Sequence, residues 1–214
     1  MTRILSPLNI LFLLLLTSLV VFGLFTIPSE QMLPVHWNIN GEVDFTLPAY
    51  LALWIGPLEC IVVILVIFVA KNRLSSEEFL AGRSLMEASV SIAIAAGLFV
   101  QAVIVFSANG VVFDVPQLAT VFIGIVMLII GNYLPKSQAN RAAGIRFPWT
   151  MSSPTVWAKT HQFAGKCFIS AGAVIVAIGV VNIAAPASII AALSIICLAV
   201  LAVTFYSYSI RELN

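Results

Sequence analysis

The sequence predicts an all-α, polytopic integral membrane protein with six transmembrane helices and both termini in the cytoplasm. Three observations carry that prediction. Hydrophobic residues make up 61% of the 214 and charged residues only 9%, where an ordinary soluble domain carries about a quarter charged. Six stretches are each long enough to cross a bilayer core, which needs about 20 apolar residues. All ten Lys and Arg fall on one side of the bilayer that those stretches imply. The chain therefore reads as a single six-helix membrane domain over 1–214.

The first span is expected at 7–27. Its apolar run is too long for a signal peptide and no small-x-small cleavage site precedes Pro28, so it reads as a retained span. The second is expected at 49–70 and the third at 85–107. Ser75 and Glu78 form a capping-box pattern ahead of the third, in which each side chain satisfies a backbone donor at the helix start. That helix is therefore expected to begin in the cytoplasm and run for about thirty residues, about 45 Å at 1.5 Å per residue. The fourth span is expected at 116–134, the fifth at 164–183 and the sixth at 186–207, with a tight connection at Pro186 between the last two. Ser153 followed by Pro154 reads as an N-cap with proline in the first turn. The helix it starts either continues into the fifth span or bends at Gly165, and the pattern is compatible with both. Small residues at Ala93 and Gly97, and at Ala173 and Ala177, suit close helix contact. No internal repeat supports an inverted-repeat transporter.

Charge orients the spans. Arg3 precedes the first, and Lys71, Arg73 and Arg83 lie between the second and third. Lys136, Arg141, Arg146, Lys159 and Lys166 lie between or beside the fourth and fifth, and Arg211 follows the sixth. By the positive-inside rule this side is cytoplasmic. The opposite loops hold Glu30, Glu42, Asp44 and Asp114 and no cation, so the outer face is acidic. A net charge of +1 offers no basic face for direct nucleic-acid binding. Cys60, Cys167 and Cys197 are well separated within apolar runs and make neither a disulfide framework nor a metal spacing.

Three places hold chemistry. The outer loop, 28–48, reads PSEQMLPVHWNINGEVDFTLP, with Asn40-Gly41 a strong turn signal. His36, Trp37, Asn38, Asn40, Gly41, Glu42 and Asp44 suit an acidic, aromatic surface for a cationic or amphipathic peptide; the alternative is an ordered interfacial loop anchored by Trp37. Glu59 lies near the middle of the second span, two residues after Pro57, where a charge costs roughly 2.5–3.5 kcal/mol on insertion scales. It is expected to face the bundle interior, either for ion or proton passage or to hydrogen-bond a neighbouring helix. Glu87, one turn after Arg83, is expected to pair with it.

The third place is a polar island at 131–165, GNYLPKSQANRAAGIRFPWTMSSPTVWAKTHQFAG. It holds four of the ten basic residues, two of the four tryptophans and one of the two histidines. Lys136, Arg141 and Arg146 can be read as anchors on anionic headgroups. That reading leaves Asn132, Asn140, Gly144, Pro148, Trp149 and the Trp157–His161 helix face without a reason, and their mixture suggests a folded loop that lines a vestibule or docks a partner. Catalysis has little support. His36 and His161 fall on opposite sides of the membrane, and no HExxH, GxSxG or phosphate-binding glycine loop is present. No cofactor or metal is expected.

The outer LPVHWNINGEVD resembles a P-x-H-W-N-x-x-G motif of a small bacterial membrane domain. The island closely resembles the signature of the SdpI family, immunity proteins of the sporulation-delaying toxin system: G-N-x-x-P-K, N, G-I-R-x-P-W-T, then V-W-x-K-T-H and G. The signature maps onto Gly131, Asn132, Pro135, Lys136, Asn140, Gly144, Ile145, Arg146, Pro148, Trp149, Thr150, Trp157, Lys159, Thr160, His161 and Gly165. Phe147 departs from it, where a small polar residue is common. The resemblance implies a multi-pass protein of the bacterial cell membrane that confers resistance to a secreted peptide toxin. It also implies a possible second partner, a cytoplasmic ArsR-type repressor held at the membrane. On that reading His36, Trp37, Asn38, Asn40 and Asp44 shape the outer side, and Arg146, Trp149, Trp157 and His161 the inner side. The rival readings are a small transporter or channel that uses Glu59, and a scaffold for a cytoplasmic partner.

Overall fold

The computed structural model describes residues 6–181 and 183–213. Arg3, counted above among the one-sided charges, lies outside them. Six helices are long and apolar enough to cross a membrane. They are α1 (Pro7–Thr26), α2 with α3 (Ala49–Ala52 and Ile55–Arg73), α4 (Ser76–Ala108), α5 (Val115–Tyr133), α7 (Pro154–Val180) and α8 (Ala187–Ser209), with a short α6 (Pro148–Ser152) in the island. The protein is a multi-pass membrane protein. Its periphery fits that solvent: Phe25, Val66, Leu198 and Phe205 are all exposed, as side chains facing lipid tails are.

Helix boundaries follow their local signals. Ser75 accepts from the Glu78 amide while Glu78 accepts from the Ser75 amide, and the capped α4 runs for 33 residues. Ser6 and Asp114 cap α1 and α5, each with proline in the first turn. Ser153 caps α7, which continues without a break through Gly165. Of the two courses left open by the sequence, the straight one is found. The fifth membrane helix therefore begins ten residues before the expected 164, because its polar first turns pack inside the island.

The bundle has two halves. In one, α1 and α3 both pack on α4 and scarcely touch each other; in the other, α7 lies between α5 and α8, and α4 meets α5 to join them. The α5–α7 contact is the closest. A Cβ added to Gly124 would fall 2.9 Å from the Gly172 carbonyl oxygen, and one on Gly131 2.9 Å from that of Gly165. One turn-pair further along, Gln117 Nε2 donates to the Gly179 carbonyl at 3.0 Å. Residues 117, 124 and 131 thus meet 179, 172 and 165 in antiparallel order, every seventh residue on each helix. Without a hydrophobic drive between helices in lipid, this backbone approach supplies dispersion contact that larger side chains would prevent. The expected small residue Gly97 does similar work in the other half, where it meets the Gly56 carbonyl of α3.

The all-α expectation needs one correction. The loop before α2 contains an antiparallel hairpin, β1 (Met32–Trp37) with β2 (Val43–Pro48), paired from Met32↔Pro48 to Trp37↔Val43 with irregular register around His36. The two prolines that bracket the loop, and Pro34 inside β1, disguise the strands, since proline removes a ladder donor. Burial holds them instead: Leu33 is fully buried with Ile27, Ala49, Leu53, Ile104 and Val105, and Trp37 packs on this cluster.

Candidate functional site

The two motif regions stand at opposite ends of the bundle and are built differently. At the hairpin end, Asn38 makes the turn. Its Oδ1 accepts from the amides of Asn40 (2.9 Å) and Glu42 (3.0 Å), and its Nδ2 donates to Glu42 Oε2 at 2.8 Å. Gly41 adopts φ +84°, and a Cβ there would meet Pro116 at 3.1 Å, so the tip rests on the start of α5. His36 Nδ1 lies 2.6 Å from Asp44 Oδ1 across the strands, with the histidine side chain 65% exposed. His36, Trp37, Asn38 and Ile39 face Val115, Pro116, Ala119 and Ile189 across a cleft of about 320 Å³. Asn40, Gly41 and Asp114 line a second hollow of about 530 Å³ on the other side of the tip. The outer-loop candidates are therefore brought together and reachable.

At the signature end Asn140, Thr150, Trp157, Thr160, His161 and Gly165 are buried. After the turn Leu134–Lys136, Asn140 organises the loop. Its Oδ1 accepts from the amides of Ala142 and Ala143, both at 2.8 Å, and its Nδ2 donates to the carbonyls of Gln138 and Ala143. The Gln138 amide donates to the Ala81 carbonyl of α4, which fixes the loop to the bundle. Trp157 and His161 stack at 4.1 Å and both are buried. Trp157 Nε1 donates to the Ser137 carbonyl at 3.0 Å.

The two nitrogens of His161 are both engaged. The Ile145 amide donates to Nε2 at 2.9 Å, so Nε2 must be the acceptor; Nδ1 then carries the proton and donates to the Trp157 carbonyl, 2.9 Å away. The ring is held as the neutral Nδ1–H form. Gly144, at φ +128°, lies on the stacked pair: a Cβ there would come within 2.7 Å of His161 Nε2 and 2.8 Å of the Trp157 ring. Thr150 Oγ1 donates toward the carbonyls of Ile145 and Phe147, which closes the loop onto α6. Thr160 is buried, and Gly165 packs against Pro135 and the Gly131 carbonyl.

The cations of the signature segment are exposed. Arg141 pairs with Glu78 at 3.4 Å, Arg146 donates to the Arg141 carbonyl, and Lys136 sits 4.4 Å over the Tyr133 ring. Asn132, Pro135, Arg146, Pro148 and Lys159 are exposed. Trp149 stacks on Phe147, meets Tyr208 edge-on and donates to Ser207 at 3.2 Å, while Arg211 covers the Tyr208 ring. Phe147 thus supplies an apolar face for Trp149. These α8 partners carry no motif, and the sequence offers no signal for them beyond their aromatic and small polar character.

Glu59 is apart from both ends. It is half-buried on α3, with Oε2 about 3.5 Å from where a Gly97 Cβ would be. Gln101, one turn on, is fully buried and accepts from the Gly56 amide at 3.1 Å. Arg83 and Glu87 pair at 2.8 Å, as their spacing suggests. Among the described residues, no three His, Cys, Asp or Glu side chains are grouped to hold a metal ion.

Residues 136–208 match the model of the SdpI/YfhL protein family. Over that segment, about a third of its length, the chain is similar to the family. The match takes in the island from Lys136 onward, α7 and nearly all of α8; the hairpin and α1–α5 precede it. The Immunity protein SdpI of Bacillus subtilis (strain 168) is 36% identical over 53 residues, 25% of this chain and 26% of that protein. The aligned region thus spans about a quarter of the relative's length. No solved structure matches the chain.

Proposed function

We propose that this chain, similar to the SdpI/YfhL family over residues 136–208, is a membrane immunity protein that protects a bacterium against a secreted peptide toxin. The hairpin end faces outward in this reading, and the signature end faces the cytoplasm. The observation that carries the proposal is the pairing of a family signature, built as a buried hydrogen-bonded loop, with a reachable acidic hairpin at the opposite end. The printed name of the Bacillus subtilis relative supports immunity. The placement of nine described cations at the signature end, with only acids at the hairpin end, supports the orientation.

Signalling through a cytoplasmic partner is the finer form of this reading. Arg141, Arg146 and Lys159 are available to an acidic partner surface, whereas Trp157 and His161 are buried and would act by shaping the loop that presents Arg146. Membrane potential in a toxin-sensitive bacterium expressing the chain, before and after an Sdp-type peptide is added, tests the proposal. The potential is expected to hold with the wild type and to collapse with His161→Ala at equal membrane levels. Collapse with the wild type would remove the immunity reading. Arg146→Ala separates surface from scaffold: it should lose protection while leaving thermal stability unchanged. Glu59→Gln is expected to leave protection intact, and an ion flux abolished by it would favour transport instead.

A further inference from the structure

The clefts beside the hairpin tip have a second wall that the hairpin motif does not announce. The tip rests on Pro116, and the space on either side is closed by the start of α5, the start of α8 and the chain between α7 and α8. On one side Trp37 and Ile39 look across about 320 Å³ at Val115, Ala119 and Ile189. On the other side, about 530 Å³ lies between Gly41, Phe113, Asp114 and Ala184. Val115 and Pro116 border both spaces, so the two lie side by side as a furrow along the start of α5, with the tip between them.

The first space is lined mainly by apolar side chains, and the second carries the Asp114 carboxylate. Ile39 is 44% exposed and Val112, at the mouth, 94%. Asp114 lines the second space; Glu42, next to Gly41 at the tip, is exposed and accepts from Asn38, and Asp44 is paired with His36. Asp114 Oδ1 caps the Gln117 amide at 3.0 Å. No Lys or Arg occurs in 27–48, 109–114 or 181–186. An apolar trough beside Asp114 and the exposed Glu42, on a face without Lys or Arg, is complementary to a peptide that alternates apolar and cationic side chains, and it repels an anionic headgroup.

We infer that the furrow between the hairpin tip and the starts of α5 and α8 is the docking site for a short cationic, apolar peptide segment. Glu42 and Asp114 receive its positive charges, and Ile39, Val115, Ala119 and Ile189 its apolar side chains. The inference rests on the immunity reading only for the biological source of the peptide.

The test uses the full chain in phosphatidylcholine nanodiscs and a fluorescein-labelled peptide of alternating leucine and lysine, with empty nanodiscs subtracted. The leucine–glutamate counterpart serves as comparison. Saturable binding of the lysine peptide alone is expected. Glu42→Gln combined with Asp114→Asn keeps the Asn38 bond and the helix cap, and should weaken binding by about tenfold. Ala119→Trp, which fills the trough, should weaken it to a similar degree; thermal unfolding confirms that each variant is folded. No binding to the wild type, equal binding of the glutamate peptide, or binding unchanged in the charge variant would each overturn the inference. If Ala119→Trp does not fold, the charge variant decides by itself. Peptide binding without protection of membrane potential would remove the immunity reading and leave the furrow standing; protection unaffected by the charge variant would do the reverse.

Discussion

The hairpin end and the signature end solve the same problem, an irregular segment beside a membrane, by opposite means. The hairpin is local. Asn38 reaches no further than Glu42, the cross-strand pair His36–Asp44 is exposed, and a single apolar face, Leu33 with Trp37, ties it down. The signature loop is tertiary. Its bonds run from 138 to 81, from 145 to 161 and from 157 to 137, and its rings are buried. A local device leaves side chains free to meet a ligand. A cross-linked one fixes backbone geometry and takes its rings inside, while Arg146 and its basic neighbours stay on the surface. The family match falls on the cross-linked end, where many residues depend on one another.

That contrast can be broken by substitution. The largest effect is expected from Gly144→Ala, which combines a backbone angle unsuited to an L side chain with a clash into Trp157 and His161. A loss of about 3 kcal/mol or more is expected, read as a lower unfolding midpoint in detergent. Gly110→Ala is the matched control, since Gly110 also has positive φ, +88°, but no atom within 4 Å of its Cβ position. It should cost only about 1–2 kcal/mol.

Gly172→Ala comes next. Its Cβ would fall 2.7 Å from the Gly124 carbonyl oxygen, a backbone atom that cannot swing away. A loss of roughly 1–3 kcal/mol is expected, with a wider α5–α7 spacing measurable by spin labels on the two helices. An unchanged midpoint would mean that this helix pair is not the rigid element described above. His161→Ala removes the acceptor from the Ile145 amide and should cost about 1–3 kcal/mol if that donor stays buried. His36→Ala should be the mildest, at about 0–1 kcal/mol, because exposed ion pairs contribute little. Its effect is expected on protection rather than on the unfolding midpoint. Equal destabilisation by His36→Ala and His161→Ala would erase the distinction between the two ends.

Parts of both ends were legible in the sequence. The Asn40-Gly41 turn and the Ser75–Glu78 and Ser153–Pro154 caps depend on residues within four positions of each other, and each is found. The spacing of Trp157 and His161 placed them on one helix face, but it did not say that the face points inward. The paired strands were missed because proline and polar residues obscure their alternation. The α5–α7 glycine register was missed because small residues in an apolar helix carry no sign of which neighbour they meet. Ser137, Gln138 and Ser207 were passed over for a similar reason: their partners lie 20, 57 and 58 residues away in sequence.

The sequence by itself determined the solvent, the number of spans and the two polar segments that interrupt them. Those properties follow from transfer free energies and charge placement, which sum over residues and need no partner. Only the tertiary structure decided which motif residues are surface and which are scaffold. It set the tautomer of His161 through two backbone groups sixteen and four residues away, and it set the hairpin tip against Pro116. A hydrogen bond or a close backbone approach belongs to a pair, and the identity of the second member is known only when the chain has folded.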